Sequence, residues 1–176
     1  MINKKVVFLD RDGVINKDTS YVSRIEDFEF IDGVFKACLH FKKLGFEIII
    51  VTNQSGIGRA YFTQDDFNKL NEYMKKEFLK NSIEILDVFY CPHKPEDKCE
   101  CRKPKTGMIN QALNLYDIDL KNSWMIGDKI TDIELAINSN IKNSILISNT
   151  PMKKEEKSLS NFVVNSLEET INIIKE

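Results

Sequence analysis

The chain has 176 residues, 42% of them hydrophobic and 30% charged, a balance that fits one soluble globular domain with enough length for a real core. Its net charge of −2 and isoelectric point near 5.8 give no reason to expect a nucleic-acid or membrane partner. No apolar run approaches the roughly 20 residues of a bilayer span, and the first residues lack the long apolar stretch of a signal peptide, so a cytoplasmic protein is expected, with nothing demanding more than a monomer.

In chain order, Val6-Val7-Phe8-Leu9 is apolar, half β-branched and too short for a helix, which predicts a fully buried strand ending where Asp10-Arg11-Asp12-Gly13 begins. Residues 14–22 are polar and turn-prone, a loop over whatever the strand's end holds. From Asp32-Gly33 an amphipathic helix carries Val34, Ala37, Cys38, Phe41 and Leu44 on its apolar face and stops at Gly45, with Cys38 in the core and His40 on the surface. Residues 47–51 form a second buried strand that runs into Thr52-Asn53-Gln54-Ser55-Gly56-Ile57-Gly58, a polar, glycine-rich turn. Thr63 and Asp66 have the spacing of a capping box, opening a helix with Phe67, Leu70, Met74 and Phe78 as its core stripe. Strands at 87–90, 124–126, 144–147 and 162–164 alternate with helices at 108–115 and 133–137, a charged loop covers 152–160, and Ser166 with Glu169 opens a last helix.

This alternation predicts an α/β fold in three layers, a parallel sheet with helices on both faces. No repeat, linker or low-complexity tract divides residues 1–176, so a single domain is expected. Parallel strands bring their carboxyl ends to one edge, where ligands bind in open sheets. Asp10 and Asp12, Thr52 and Asn53, and Gly127-Asp128 all fall there. Asp10 and Asp12, two apart on an extended segment, can face the same pocket. Like charges so close invite a cation, and oxygen-only ligands suit Mg²⁺.

These residue types are the parts of phosphoryl transfer through an aspartyl-phosphate. Mg²⁺ held by Asp10, Asp128 and the backbone carbonyl of Asp12 would screen the nucleophile from phosphate. Asp10 would attack phosphorus. Asp12 would protonate the leaving alkoxide and then deprotonate the hydrolytic water. Thr52 would donate to a phosphoryl oxygen, and Lys103 would balance the remaining charge. Separately, Cys91-Pro92-His93 and Cys99-Glu100-Cys101 offer a Cys₃His set, which suits a tetrahedral structural Zn²⁺ site; the alternative is a metal-free loop of clustered thiols. The spacing is not that of an ordinary zinc finger. Arg102, pinned by this loop, is the candidate to grip a second phosphate bidentately, its alternative being a surface charge that shields the thiolates.

Asp10-x-Asp12 after a buried strand, Thr52 after another, Lys103 beside Pro104, and Gly127-Asp128 followed by Asp132 resemble, in order, the four motifs of the haloacid dehalogenase (HAD) superfamily. The resemblance implies a Rossmann-like HAD fold with minimal cap, a phosphatase, and the roles just given, with Asp132 supporting the site rather than ligating. A zinc loop spanning 91–104 and running into Arg102-Lys103-Pro104 resembles two groups within it: D-glycero-D-manno-heptose-1,7-bisphosphate 7-phosphatases of nucleotide-heptose and lipopolysaccharide synthesis, and histidinol-phosphate phosphatases of histidine synthesis. Residues 8–16, 28–34, 52–59, 106–108 and 127–129 look most like the heptose group. That likeness implies hydrolysis of the C7 phosphate of a small sugar bisphosphate to heptose 1-phosphate, with Arg11, Asp18, Thr19, Ser20 and Tyr21 among the substrate contacts. It also places Asn53, Gln54, Ser55 and Lys129 at the transferring phosphoryl group. Two features depart from it. The short gap between His93 and Cys99 is closer to the histidinol group, and Ser20 stands where the heptose pattern has glycine. A zinc-containing binding protein without activity would require a missing catalytic part, and all are present.

Overall fold

The computed structural model describes residues 3–150 and 158–175. Six strands form one sheet in the order β3-β2-β1-β4-β5-β6, every neighbouring pair parallel. They are β1 (Val6–Leu9), β2 (Glu47–Asn53), β3 (Asp87–Cys91), β4 (Trp124–Gly127), β5 (Asn143–Ile147) and β6 (Phe162–Val164). β1 lies at the centre with all four residues buried, as its uninterrupted apolar run requires of a strand covered on both faces. Its register sets Val7 against Ile48 of β2 and Trp124 of β4.

Alternation along the strands divides the core in two. Val7, Leu9, Ile48, Ile50 and Ile126 face a layer containing α1 (Val34–Lys43) and α3 (Gln64–Lys80). Val6, Phe8, Ile49, Val51 and Met125 face α4 (Gly107–Leu115) and α5 (Ile130–Asn138). Helices therefore cover both faces, and Cys38 is fully buried in the first layer. The capping box of α3 is formed: the Asp66 backbone N–H donates to Thr63 Oγ1 (3.1 Å), and the Thr63 N–H donates to Asp66 Oδ2 (2.9 Å). None of the helices among the described residues is long and apolar enough to cross a membrane.

Two elements and one side chain differ from the sequence reading. The turn after β2 contains a short helix, α2 (Ser55–Gly58), held because Gly56 lies under the Phe62 ring, where a Cβ would come within 2.1 Å of a ring carbon. The closing segment is a 3₁₀ turn at Glu168–Asn172 rather than a helix. The Glu169 N–H donates to Ser166 Oγ, but the segment's N-cap is Leu167, without a side-chain cap bond, and the Thr170 hydroxyl donates to the Leu167 carbonyl and competes with helical pairing there. His40, expected at the surface, is half-buried and meets the Ile174 carbonyl through Nε2 at 2.8 Å. Of the charged loop expected at 152–160, residues 152–157 lie outside the described residues.

Candidate active site

β1, β2 and β4 deliver Asp10, Thr52 and Asp128 to one edge, and the chain after β3 returns there with Lys103. Lys103 is 4% exposed; its ammonium donates to the Val51 carbonyl at 2.9 Å and forms ion pairs with Asp10 Oδ1 at 2.8 Å and Asp132 Oδ1 at 2.7 Å. Burial alone would push its pKa down, but the charges of Asp10 and Asp132 outweigh that and hold it above the ordinary lysine value. Asp10 Oδ1 also accepts the Arg11 N–H at 2.7 Å, so the contacts that fix this carboxylate fall on Oδ1.

Arg11 is the first correction. Expected among the substrate contacts, it is fully buried and grips Asp12 instead, Nη2 reaching Oδ1 at 2.9 Å and Oδ2 at 3.0 Å. The same Nη2 donates to the Val22 carbonyl at 2.9 Å, which ties down the loop over the site. Asp12 further accepts from Asn16 Nδ2 (3.0 Å) and Gln54 Nε2 (2.9 Å). Gln54 also donates to Thr52 Oγ1 at 2.8 Å, so the Thr52 hydroxyl proton is free to point outward. Gln54 is thereby a brace between two site residues, both amide hydrogens already spent. Asn53 is engaged too: its Oδ1 accepts the Lys103 N–H at 3.0 Å and its Nδ2 donates to the Lys103 carbonyl at 3.4 Å. The side chains of Asn53 and Gln54 position other groups, which leaves Thr52 and Ser55 to offer hydroxyls.

The cleft above these residues has a volume of about 540 Å³. It is lined by Asp10, Asp12, Thr52, Asn53, Gln54, Ser55 and Lys103 together with Asp18, Ser20, Tyr21, Arg102 and Lys129. Thr19 is exposed outside the lining. Lys129 Nζ reaches Asp18 Oδ2 at 3.1 Å, and Asp18 Oδ1 accepts the Ser20 N–H at 3.1 Å. Burial raises the Asp18 pKa, but that hydrogen bond and the Lys129 charge together bring it below the ordinary value. Ser20 adopts a left-handed φ of 67°, so the backbone conformation that glycine would take without strain is present here with a side chain. Thr131 lines the cleft as well; its place beside the Asp128-Lys129 pair at the start of α5 was the available signal.

Asp10, Asp128 and Asp132 each bring a carboxylate oxygen within 4.8 Å of the others. Asp132 is committed to Lys103 and, through Oδ2, to the Lys129 N–H at 3.1 Å. Asp128 is not: its Oδ1 is buried without a hydrogen-bond partner, and burial, followed by the charge of Asp10, pushes its pKa up to about 7. Burial likewise raises Asp10, partly countered by Lys103. A buried acceptor with no donor beside a second carboxylate fits a hard divalent cation. Gly13 belongs to this arrangement, since a Cβ on it would lie 2.2 Å from Asp128 Oδ2.

Beyond β3, Cys91, His93, Cys99 and Cys101 converge. Sγ–Sγ distances are 3.5 Å for Cys91–Cys99 and Cys99–Cys101, and His93 Nδ1 lies 3.7 Å from Cys91 Sγ and 3.2 Å from Cys101 Sγ. A tetrahedron of thiolates with Zn–S near 2.3 Å has edges of roughly 3.8 Å. The four ligands fit Zn²⁺ closely.

Residues 100–170 match the HAD-hydrolase-like family model. Over 172 residues, 98% of this chain and 96% of the other, the sequence is 46% identical to the D-glycero-alpha-D-manno-heptose-1,7-bisphosphate 7-phosphatase of Campylobacter jejuni. The chain belongs to the heptose-bisphosphate phosphatase family of HAD-like hydrolases. A beta-type member of that family from Helicobacter pylori is 47% identical over 150 residues, 85% of this chain and 86% of that one. Among solved structures, the heptose 1,7-bisphosphate phosphatase of B. bronchiseptica, complexed with magnesium and phosphate, superposes with a TM-score of 0.82 at 26% identity and covers 96% of this chain and 97% of that one. Among the described residues the main excursions at this edge are residues 10–33, between β1 and α1, and 92–106, between β3 and α4.

Proposed function

We propose that this chain is a Mg²⁺-dependent phosphatase that removes the C7 phosphate of D-glycero-D-manno-heptose 1,7-bisphosphate through an aspartyl-phosphate on Asp10. The observation that carries the reading is the convergence of Asp10, Asp12, Thr52 and Lys103 on one cleft whose lining also holds Arg102. Asp10 Oδ2 attacks phosphorus as the bond from phosphorus to the C7 oxygen breaks. Asp12, steered by Arg11, Asn16 and Gln54, gives its proton to the leaving alkoxide. It then takes a proton from the water that attacks the acyl-phosphate, which frees phosphate and restores Asp10. Lys103 and the Thr52 hydroxyl stabilise the phosphoryl oxygens. Asp10, Asp128 and the Asp12 carbonyl would hold Mg²⁺, which supplies neutralisation of the charge between carboxylate and phosphate.

Arg102 grips the retained phosphate, while Cys91, His93, Cys99 and Cys101 hold a structural Zn²⁺ that fixes the loop carrying it. The product keeps an anomeric phosphate, the group a nucleotidyl transfer would use next, in line with a place in nucleotide-heptose synthesis for surface polysaccharide. Phosphate release from heptose 1,7-bisphosphate, heptose 1-phosphate and histidinol phosphate, with and without Mg²⁺, tests the reading. The bisphosphate should lose one phosphate only in the presence of Mg²⁺, with kcat/KM at least about 100-fold above histidinol phosphate. A preference for histidinol phosphate would overturn it, and running both anomers assigns which one is accepted.

A further inference from the structure

At the rim of the cleft the rings of Tyr21 and Tyr61 meet edge to face, their centroids 4.8 Å apart and their planes at 84°. They are 46% and 62% exposed, so burial does not explain why both rings are held there. The chain on each side of the contact is strained: Ser20 and Tyr21 have φ of 67° and 55°, and Ala60, which presents Tyr61, has φ of 58°. Side chains rarely adopt this conformation, and it persists where the surroundings over-determine it, a condition met most often at functional sites. On the first side, Asp18 receives the Ser20 N–H and Lys129, and Arg11 holds the Val22 carbonyl. On the second side, the Ala60 N–H donates to the Ile57 carbonyl at 3.0 Å and the Tyr61 N–H to the Gly56 carbonyl at 2.9 Å. α2 begins with Ser55 and Gly56, both of which line the cleft, so Tyr61 is anchored through Gly56 to one part of the lining while its ring touches Tyr21, another part of it.

We propose that Tyr61, itself outside the cleft lining, is a positioning residue that locks the Ser20-Tyr21 turn against the sugar end of the site and thereby sets affinity for the sugar. This rests on the sugar-bisphosphatase reading above. The test is steady-state kinetics of the metal-loaded wild type, Tyr61→Ala and Tyr61→Phe on heptose 1,7-bisphosphate and on p-nitrophenyl phosphate, whose aryl group makes no use of a sugar subsite. Tyr61→Ala should raise KM for the bisphosphate about tenfold with kcat held within about twofold. It should leave the aryl phosphate within about twofold on both parameters, and Tyr61→Phe, which keeps the ring, should behave as wild type. An unchanged KM in Tyr61→Ala, or an equal loss on both substrates, overturns the positioning role while the parent reading stands. Wild-type inactivity on the bisphosphate overturns the parent reading and this inference with it.

Discussion

Asp10, Asp128 and Asp132 stand at the tips of β1 and β4 and in the first turn of α5, backed by strands and helices whose apolar residues are almost wholly buried. Cys91, His93, Cys99 and Cys101 are carried by a segment, residues 91–104, in which only Cys91 and Lys103 are buried. Hydrophobic packing positions the first group and overcomes its mutual repulsion; in the second, Cys91, Cys99 and Cys101 pack on the edge of the core while the rest of the segment is mostly exposed, so a metal held by the four side chains would fix its shape. The two meet at Lys103, whose ammonium belongs to the carboxylates and whose backbone is two residues from Cys101 and clasped by Asn53. Catalytic charge is thus set by the sheet, and its exact placement by the loop.

The largest break in this arrangement should come from Lys103→Met, which fills similar volume but leaves Asp10 and Asp132 facing each other. Without Mg²⁺, urea unfolding should show a loss of about 3–5 kcal/mol, as expected when one partner of a buried ion pair is removed. Turnover should fall about 10²–10³-fold. A variant as stable as wild type would show that the carboxylates do not need this ammonium.

Stripping metal from the cysteine cluster with a strong chelator, then restoring Mg²⁺, should cost about 100-fold in turnover, because misplacing Lys103 by an ångström is enough to do so. Amide exchange should speed up in residues 93–102 while the sheet retains protection. Faster exchange throughout β1 and β4 would mean that the loop also supports the core.

The smallest effect should be the pH dependence of Mg²⁺ stabilisation. The Asp128 pKa is raised in the folded protein to about 7 from an unfolded value near 3.9. Its contribution to metal-free stability is therefore full below about pH 4 and is lost as pH rises through about 7, at no more than about 1.4 kcal/mol per pH unit. Mg²⁺ neutralises that charge, so the gain in Tm on adding it should be larger at pH 8 than at pH 5, by a few degrees for each kcal/mol. A gain independent of pH would place the cation away from Asp128.

All six strands were readable from sequence because each is a short apolar run closed by turn residues, and Asp10, Thr52 and Asp128 could be placed together because parallel strands must end at a common edge. What could not be read is the set of bonds behind them. Arg11 sits between two aspartates and looks like a substrate contact; only its complete burial reveals an inward-facing clamp on Asp12. Gln54 and Asn53 sit in a phosphate-binding stretch, yet their amides are bound to partners 42 and 50 residues away, distances across which local pattern carries no information. α2, four residues with two glycines, has no room for helical periodicity to show.

The central claim is that the Asp10 carboxylate is the nucleophile that attacks phosphorus, and Asp10→Asn tests it most directly, because the amide keeps the shape while removing the nucleophile. With heptose 1,7-bisphosphate and Mg²⁺, released phosphate should be indistinguishable from the enzyme-free rate, and the cooperative unfolding transition should persist. Residual turnover within about 100-fold of wild type would contradict the account, since a nucleophile cannot be lost at so small a cost.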